Sequence, residues 1–169
     1  MLRAQCGDPE ALELLLRSVQ PSLHRYLLGL VGPRHSDDVA QEVLLIACRK
    51  IGLLHAPELF RPWLYRVASR AAFRHLKKER QAPEQVRDDS VLEAVPAPDA
   101  PMLAEVLQDL HKMDGIPPAS RAVLVLHFQE DLSLPEIAAI LGIPLGTVKS
   151  RLAYGLTAVR KQFDMKRSV

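Results

Sequence analysis

Residues 132–152 of this chain read Leu132-Ser-Leu-Pro-Glu-Ile-Ala-Ala-Ile-Leu-Gly-Ile-Pro-Leu-Gly-Thr-Val-Lys-Ser-Arg-Leu152, and they are the most informative part of the sequence. Ser133 is a good helix N-cap, and Glu136 three residues later completes a capping box. Gly142 suits the left-handed residue that ends a helix, and Pro144 suits the start of the next one. The stretch therefore predicts two short helices around a tight turn.

The second of these helices carries hydrogen-bonding side chains close to its beginning. Its spacing predicts that Val148 and Leu152 face inward, which leaves a polar face for contacts. Docking in the major groove of DNA requires such a helix, because Arg and Lys reach guanine edges or phosphates. We therefore predict a DNA-binding helix-turn-helix, with a plain helical hairpin as the alternative. Its candidate contact residues are Thr147, Lys149, Ser150 and Arg151.

Composition limits the remaining possibilities. The 169 residues are 48% hydrophobic and carry a net charge of +2, which allows one large or two small domains and excludes a general polycation. Cys6 and Cys48 belong to no Cys or His cluster, so we expect no disulfide scaffold, no metal site and no cofactor. No apolar run reaches the length of a membrane span and no signal-peptide core is present, so we expect a cytoplasmic protein.

Enzyme signatures are missing from the sequence. Its six histidines are scattered along the chain. The sequence contains no HExxH motif, no nucleophile elbow and no Gly-rich phosphate loop. We therefore predict that the protein is not an enzyme and has no catalytic residues.

Helical periodicity runs through nearly the whole chain, and no strand-like alternation of useful length is present. The predicted helices of the first part begin at Asp8, at Pro21 (ending at Gly32), at Ser36 (ending near Lys50) and at Pro57 or Pro62 (ending near Arg80). Residues 81–101 are rich in Pro and acids and predict a flexible linker, with a weak helix at 91–95. Helices at 102–112 and 117–127 precede the helix-turn-helix. The prediction is an all-α chain with two small helical domains, 1–80 and 102–169, joined by that linker.

The last helix of the first domain is strongly basic. From residue 61 to residue 80 there are seven Lys or Arg residues and one acid, Glu79. Five of these cations fall on one stripe of the helix, with Trp63 on the same side: Arg66, Arg70, Arg74, Lys77 and Lys78. Cations beside aromatic rings suit a nucleic-acid backbone and unstacked bases. A solvated face, with Trp63 as a core anchor, is the alternative.

The preceding helix, at residues 36–51, has the opposite character. Val39, Val43, Ile46 and Ala47 are predicted to face inward. A polar strip with an apolar neighbour lies on another face, formed by Asp38, Gln41, Glu42 and Leu45. Such a strip could dock a basic protein surface. A solvated face is the alternative, and the pattern of this helix taken alone favours it.

Three motifs together resemble the extracytoplasmic-function sigma factors of bacterial RNA polymerase. Asp37-Asp38-Val-Ala-Gln41-Glu42-Val43 is similar to the family's Asp-Leu-Val-Gln-Glu segment. Phe60-Arg-Pro-Trp63-Leu-Tyr-Arg-Val-Ala is similar to its Phe-Arg-x-Trp-Leu-Tyr-Arg-Ile-Ala segment. Ile116-Pro-Pro-Ala-Ser-Arg-Ala-Val-Leu and Gly146-Thr-Val-Lys-Ser-Arg151 resemble its C-terminal domain. The resemblance covers nearly the whole chain, with the motifs in the family's order.

The resemblance implies a role for each surface. Asp38, Gln41 and Glu42, with Leu45 beside them, would bind the clamp helices of the largest subunit of core RNA polymerase. The helix from Trp63 to Lys78 would read and help melt the minus-10 element of promoter DNA. The helix from Thr147 to Tyr154 would read the minus-35 element. The resemblance also implies an anti-sigma factor as a partner. The lack of an apolar run of membrane-spanning length predicts no membrane insertion.

The chain departs from the family pattern in both DNA-binding helices. Arg70 and Arg74 stand where the family often has Asn and Asp. Residues 153–156 read Ala-Tyr-Gly-Leu where the family often has His-Arg-Ala-Arg, so two phosphate-binding cations are missing. Gly155 is expected to weaken the helix by up to about 1 kcal/mol relative to Ala. We therefore expect minus-35 binding either to be weaker or to rely on Lys149, Arg151, Arg160 and Lys161, with Tyr154 beside them.

Two other functions are compatible with parts of the sequence. One is a sigma-like decoy that binds an anti-sigma factor without reading DNA, which the altered recognition helix would favour. The other is a conventional repressor or activator with only a helix-turn-helix, which leaves the first domain unexplained. The basic stripe and the intact Lys149-Ser150-Arg151 segment favour the promoter-binding function.

Overall fold

The chain folds into a layered assembly of helices. The computed structural model describes residues 1–79, residue 110 and residues 115–167, the last five of these as backbone only. Within those ranges there is no strand, which confirms the predicted all-α class. None of the helices described is both long and apolar enough to cross a membrane. The helices are α1 (Leu2–Gln5), α2 (Pro9–Val31), α3 (Ser36–Lys50), α4 (Phe60–Glu79), α5 (Pro118–Phe128), α6 (Leu134–Leu141) and α7 (Leu145–Arg167).

Three predicted segments fall outside the described residues: the linker at 81–101, the weak helix at 91–95 and most of the helix at 102–112. Leu110 is the one residue of the last segment that is described. It is fully buried and lies against α2, where a Cβ added to Gly29 would be 3.9 Å from the Leu110 Cδ2 atom.

Helix α2 is one continuous helix, so the prediction of a second helix opened by Pro21 is wrong. Asp8 caps its start as predicted, with its side chain accepting a hydrogen bond of 3.1 Å from the Ala11 amide. Pro21 lies inside the helix with its ring exposed. An interior proline costs about 3 kcal/mol. Burial of Leu23 and Leu27, each 0% exposed, offsets this cost, since each contributes about 1.5–3 kcal/mol.

Helices α2, α3 and α4 form the N-terminal core. As predicted, α3 begins at Ser36 and ends at Lys50, and Val39 and Val43 are buried. Ile46 is only half-buried, because Ala47 takes the inward position four residues after Val43. A short 3-10 turn at Pro57–Leu59 leads into α4.

A buried hydrogen bond ties α2 to α4 at the centre of this core. The Tyr26 hydroxyl is 2.6 Å from the Ser69 hydroxyl oxygen, which itself donates to the Tyr65 carbonyl at 2.7 Å. The Tyr26 and Tyr65 rings meet edge to face with centroids 5.3 Å apart. The two phenols therefore fix how α4 lies across α2.

Helix α5 is buried on nearly all sides. Its five consecutive residues from Ala122 to Leu126 are each no more than 1% exposed. A helix that is apolar all round must be covered on all sides. Here α7 and α6 cover part of it and α2 of the N-terminal domain covers another part, so that both domains share one apolar core.

The helix-turn-helix forms as predicted. Ser133 accepts from the Glu136 amide while the Glu136 carboxylate accepts from the Ser133 amide at 2.8 Å, which completes the capping box. Gly142 ends α6 in the left-handed conformation, with φ 67° and ψ 38°. Val148 of α7 is fully buried, and Leu152 is half-buried.

Candidate nucleic-acid interface

The predicted contact residues of the helix-turn-helix lie along the first half of α7 and near its middle. Lys149 and Lys161 are exposed, and Tyr154 is 46% exposed. Val148, next to Lys149, points into the core, so one side of the N-terminal turn of α7 is buried and the other side faces solvent. The half-buried members of the set are Thr147, Ser150, Arg151 and Arg160.

Two of these residues use their hydroxyl groups within the protein. The Ser150 hydroxyl donates to the Thr147 carbonyl oxygen at 3.1 Å. The Tyr154 hydroxyl donates to the Gly115 carbonyl oxygen at 3.4 Å. Lys149 and Lys161 are the exposed cations of this set, and Lys149 lies nearer the N-terminus of α7, where a recognition helix meets base edges.

The two positions at which family cations are missing, Tyr154 and Leu156, differ in their exposure to solvent. Tyr154 occupies an exposed position where a cation could reach DNA. Leu156 is 5% exposed and belongs to the core. Residue 156 therefore packs in the core of this chain. A cation is not missing from the exposed surface at this position.

The basic stripe on α4 is exposed as the helical spacing predicts. All five cations are exposed: Arg66, Arg70, Arg74, Lys77 and Lys78. On the opposite side, Leu64, Ala68 and Ala72 are each no more than 1% exposed. Trp63 is half-buried against the core, 6.2 Å from Phe60 between ring centroids. Trp63 therefore fits both predicted roles, the core anchor and the stacking surface, because one part of its ring packs on the core and another part remains open.

Two arginines of the stripe have partners within the chain. Arg74 forms an ion pair with Glu42 on α3. Arg66 donates to the Ala139 carbonyl oxygen of α6 at 2.6 Å. The stripe therefore touches the predicted polymerase-binding strip on one side and the helix-turn-helix on the other, and neither contact was predicted from the sequence.

The polar strip on α3 is exposed along its whole length. Asp38, Gln41 and Glu42 are exposed, and Leu45 leaves 50% of its surface open. An open groove of about 560 Å³ runs beside it between α2 and α3. Residues from α2 complete the groove, namely Gln20, Pro21 and His24. The sequence pattern does not identify these residues, because it predicts a helix start at Pro21 rather than an exposed position within a helix.

An ion pair at the domain boundary also escaped prediction. Arg61, at the start of α4, lies 3.0 Å from the Glu130 carboxylate, whose side chain is only 3% exposed. Burial raises the pKa of the Tyr65 phenol, and the nearby Glu130 carboxylate raises it further. Arg61 and Glu130 are 69 residues apart, so no local pattern could join them.

The remaining pKa shifts belong to structural groups. Burial raises the pKa of the Tyr26 phenol, against a smaller opposing effect of its hydrogen bond with Ser69. Hydrogen bonds from the Ser133 hydroxyl and amide lower the pKa of Glu136, in keeping with its place in the capping box. A separate group of potential metal ligands joins the start of α3 to the end of α4: His35, His75 and Glu79.

A helix-turn-helix and a cationic helix on two packed domains define an all-α, DNA-binding class of protein. The model of sigma-70 region 2 matches residues 15–82, and the model of sigma-70 region 4 matches residues 113–161. The first match contains α3 and α4, and the second contains the helix-turn-helix.

Curated relatives resemble the chain over most of its length. The RNA polymerase sigma-H factor of Pseudomonas aeruginosa is 30% identical, over 94% of this chain and 89% of that protein. The ECF RNA polymerase sigma factor SigW of Bacillus subtilis is 29% identical, over 92% of this chain and 90% of that protein. The ECF RNA polymerase sigma-E factor of Escherichia coli is 29% identical, over 89% of this chain and 85% of that protein. The chain belongs to the sigma-70 family, in its extracytoplasmic-function group.

A solved structure shares the fold. It contains CnrH in complex with the cytosolic domain of CnrY, and it matches with a TM-score of 0.67 at 20% sequence identity. The match covers 97% of this chain and 94% of that chain. Sigma factors are non-enzymatic initiation factors, in agreement with the predicted lack of catalysis.

Proposed function

We propose that this protein binds core RNA polymerase and directs it to promoters through two separate DNA contacts, one on each domain. The observation that carries the proposal is the presence of an exposed cationic stripe on α4 and a capped helix-turn-helix in the same chain. The stripe lies within the region 2 match and the helix-turn-helix within the region 4 match. The protein would act in the cytoplasm, where RNA polymerase works.

The helix-turn-helix is proposed to read the minus-35 element as a duplex. Lys149 is exposed at the N-terminal turn of α7, where a recognition helix meets base edges. Thr147, Ser150 and Arg151 flank it, and Arg160 and Lys161 follow later on the same helix. Tyr154 offers ring surface in place of a cation, so the phosphate contribution at this point is smaller.

The stripe on α4 is proposed to hold the minus-10 element. Opened single strands expose both phosphates and base faces, which cations and aromatic rings bind together. Arg70, Lys77 and Lys78 are exposed and supply the charge, while the open part of Trp63 supplies a stacking surface. Arg66 and Arg74 join them once their partners in the free chain are released.

The strip on α3 is proposed to bind the clamp helices of the polymerase's largest subunit. Asp38, Gln41 and Glu42 supply acceptors, and Leu45 supplies exposed apolar surface beside them. The groove between α2 and α3 extends this surface and could accept a side chain from the partner. Binding at Glu42 would compete with its ion pair to Arg74, so polymerase binding would free a cation of the minus-10 surface.

The packing of the two domains partly covers the DNA-binding surfaces in the free chain. While Arg66 is bonded to α6, the first turns of α4 are partly covered by the helix-turn-helix. An anti-sigma factor would maintain a state in which the DNA-binding surfaces are unavailable. The solved complex of CnrH with CnrY provides an example of a similar fold held by a partner protein.

Transcription with purified core polymerase on a pool of random upstream sequences tests the proposal. The wild-type chain should select templates that share two short motifs. Lys149→Ala should relax selection at the upstream motif, and Arg70→Ala should weaken retention at the downstream motif with a smaller salt dependence. Arg25→Ala, an exposed cation on α2 outside both surfaces, is the matched control and should behave as wild type. Failure of the wild-type chain to bind the polymerase or to select any motif would refute the proposal.

A further inference from the structure

Three side chains with metal-binding chemistry meet where α3 begins and α4 ends. His35, His75 and Glu79 each offer one ligand atom, and these atoms all lie within 4.8 Å of one another. The His35 Nε2 atom is 2.7 Å from Glu79 Oε1, and the His75 Nε2 atom is 3.9 Å from Glu79 Oε2. The imidazole rings have centroids 4.4 Å apart.

The three side chains are carried by ordered backbone. His75 and Glu79 are four residues apart on α4, which places them on one helix face. His35 is the N-cap of α3, and its carbonyl oxygen accepts from the Val39 amide at 3.1 Å. Its own amide donates to the Gly32 carbonyl oxygen at 3.4 Å. Ligands fixed in this way lose little freedom when an ion binds.

One nitrogen of the cluster lacks a hydrogen-bond partner. The His75 Nε2 atom is buried from solvent and has no such partner within the part of the chain that the structure describes. The His35 and His75 side chains are 22% and 28% exposed, whereas Glu79 is 46% exposed. The cluster is therefore shielded on its imidazole side and open on its carboxylate side, where an ion can enter.

The ligand types and their spacing fit a zinc-like ion. Two imidazoles and one carboxylate are the protein ligands of many four-coordinate zinc sites, with water in the fourth position. Bonds of about 2.0–2.1 Å in tetrahedral geometry place ligand atoms about 3.3 Å apart, between the two distances found here. We propose that His35, His75 and Glu79 form a site for a divalent transition-metal ion of the imidazole-preferring class, exemplified by Zn²⁺.

The location gives the site a consequence for the α4 stripe. Glu79 is the one acid among seven Lys and Arg residues from residue 61 to residue 80. A bound ion would cancel its negative charge and add positive charge next to Lys77 and Lys78. It would also join the first turn of α3 to the last turn of α4. The proposal concerns ion binding alone and does not depend on the proposed promoter function.

Titration of the metal-free full chain with Zn²⁺ by calorimetry tests the site. Cys6 and Cys48 are free and exposed thiols, so both are first replaced by Ser to remove competing ligands. We expect one Zn²⁺ per chain, with affinity at least tenfold lower in His75→Ala and in Glu79→Gln. His55→Ala, an exposed histidine outside the cluster, should bind as the parent does.

A second measurement covers the case in which a variant does not fold. Co²⁺ added to the parent chain should give the intense visible bands of a four-coordinate ion, and Zn²⁺ should displace them. Circular dichroism without metal identifies any variant that has lost its helices. Weak six-coordinate Co²⁺ bands, no Zn²⁺ uptake, or uptake unchanged in a folded His35→Ala/His75→Ala variant would overturn the proposal.

Discussion

Gly155 shows how packing can outweigh helix propensity at a single residue. Its sequence context suggests a cost, since Gly lowers helix stability by up to about 1 kcal/mol relative to Ala. In the folded chain, a Cβ added at this position would lie 2.9 Å from Cδ1 and 3.0 Å from Cγ of Leu124. Leu124 is itself buried. Gly155 therefore allows α7 to approach α5 closely.

Gly155→Ala should destabilise the protein for this reason. Overpacking of a close contact costs about 1–3 kcal/mol, more than the gain in helix propensity. Gly146→Ala is the matched control, because Gly146 also lies in α7 and an added Cβ there meets nothing within 4 Å. That control should gain up to about 1 kcal/mol. Urea unfolding measures both, and a more stable Gly155→Ala variant would contradict the packing argument.

The buried tyrosines predict a loss of stability at high pH. Burial raises the pKa of Tyr26 and Tyr65 in the folded state above the ordinary value of 10.0. Below pH 10 both states keep the phenols protonated, so this contribution is fully present. As pH rises above 10, the unfolded state loses protons first, and stability should fall by up to about 1.4 kcal/mol per pH unit for each tyrosine.

Tyr26→Phe should reduce this pH dependence. The Ser69 hydroxyl still donates to the Tyr65 carbonyl in the variant, so removal of the Tyr26 hydroxyl leaves no donor unpaired there. Urea unfolding at several pH values from 8 to about 11 should show a shallower decline than in wild type. An equal decline in the two proteins would mean that Tyr26 does not contribute.

Among the helices, α4 contacts both of the other predicted binding surfaces, the polar strip on α3 and the helix-turn-helix. Its buried side packs on α2 and α3, its cations face solvent, and its arginines contact Glu42 and Ala139. The ion pair between Arg74 and Glu42 is exposed, with side chains 56% and 47% accessible, so it contributes about 1 kcal/mol or less. A partner can therefore break it readily.

Glu42→Gln should change two affinities in opposite directions. Loss of the carboxylate weakens polymerase binding, while release of Arg74 strengthens binding of the free chain to single-stranded DNA by about two- to threefold. Fluorescence anisotropy measures both. Glu13→Gln removes another exposed ion pair, with Arg17 on α2, and makes the same change in net charge. If Glu13→Gln gives the same two effects, net charge rather than the Arg74 contact is responsible.

Sequence predicts a feature of this fold when the feature depends on residues that are close together in the chain. The Ser133 cap and the Gly142 helix end were predicted because each depends on residues a few positions away. The cationic stripe was predicted because helical spacing alone places it. Continuity of α2 through Pro21 was missed, since tertiary burial of the residues after it decides the outcome. The residue-by-residue roles in polymerase and promoter binding stay predictions.

For the whole molecule, the contact between the two domains is the feature that no local pattern predicts. A Cβ added to Gly29 of α2 would be 3.3 Å from the Val125 Cγ2 atom of α5, so the helices approach closely there. The ion pair between Arg61 and Glu130 also links the two domains. Residues from both domains belong to one apolar cluster, so we expect the domains to unfold together in the free chain.

Arg61→Ala should weaken this boundary. It leaves the nearly buried Glu130 carboxylate without its cation, at a cost of about 1–3 kcal/mol. Adding Glu130→Gln should recover part of the loss, because a neutral amide tolerates burial better than an unpaired charge. Thermal unfolding measures both variants. No loss in Arg61→Ala would mean that the apolar contacts alone hold the domains together.

Promoter binding through both domains requires the packed domains to separate when both DNA contacts form. Energy transfer between dyes measures this directly, with cysteines introduced at the exposed positions of Arg17 on α2 and Thr157 on α7 after Cys6 and Cys48 are replaced by Ser. Elements about 25 base pairs apart are separated by about 85 Å of B-DNA. High transfer in the free chain and a large drop in the polymerase–promoter complex is the predicted result. High transfer that persists in an actively transcribing complex would contradict the account.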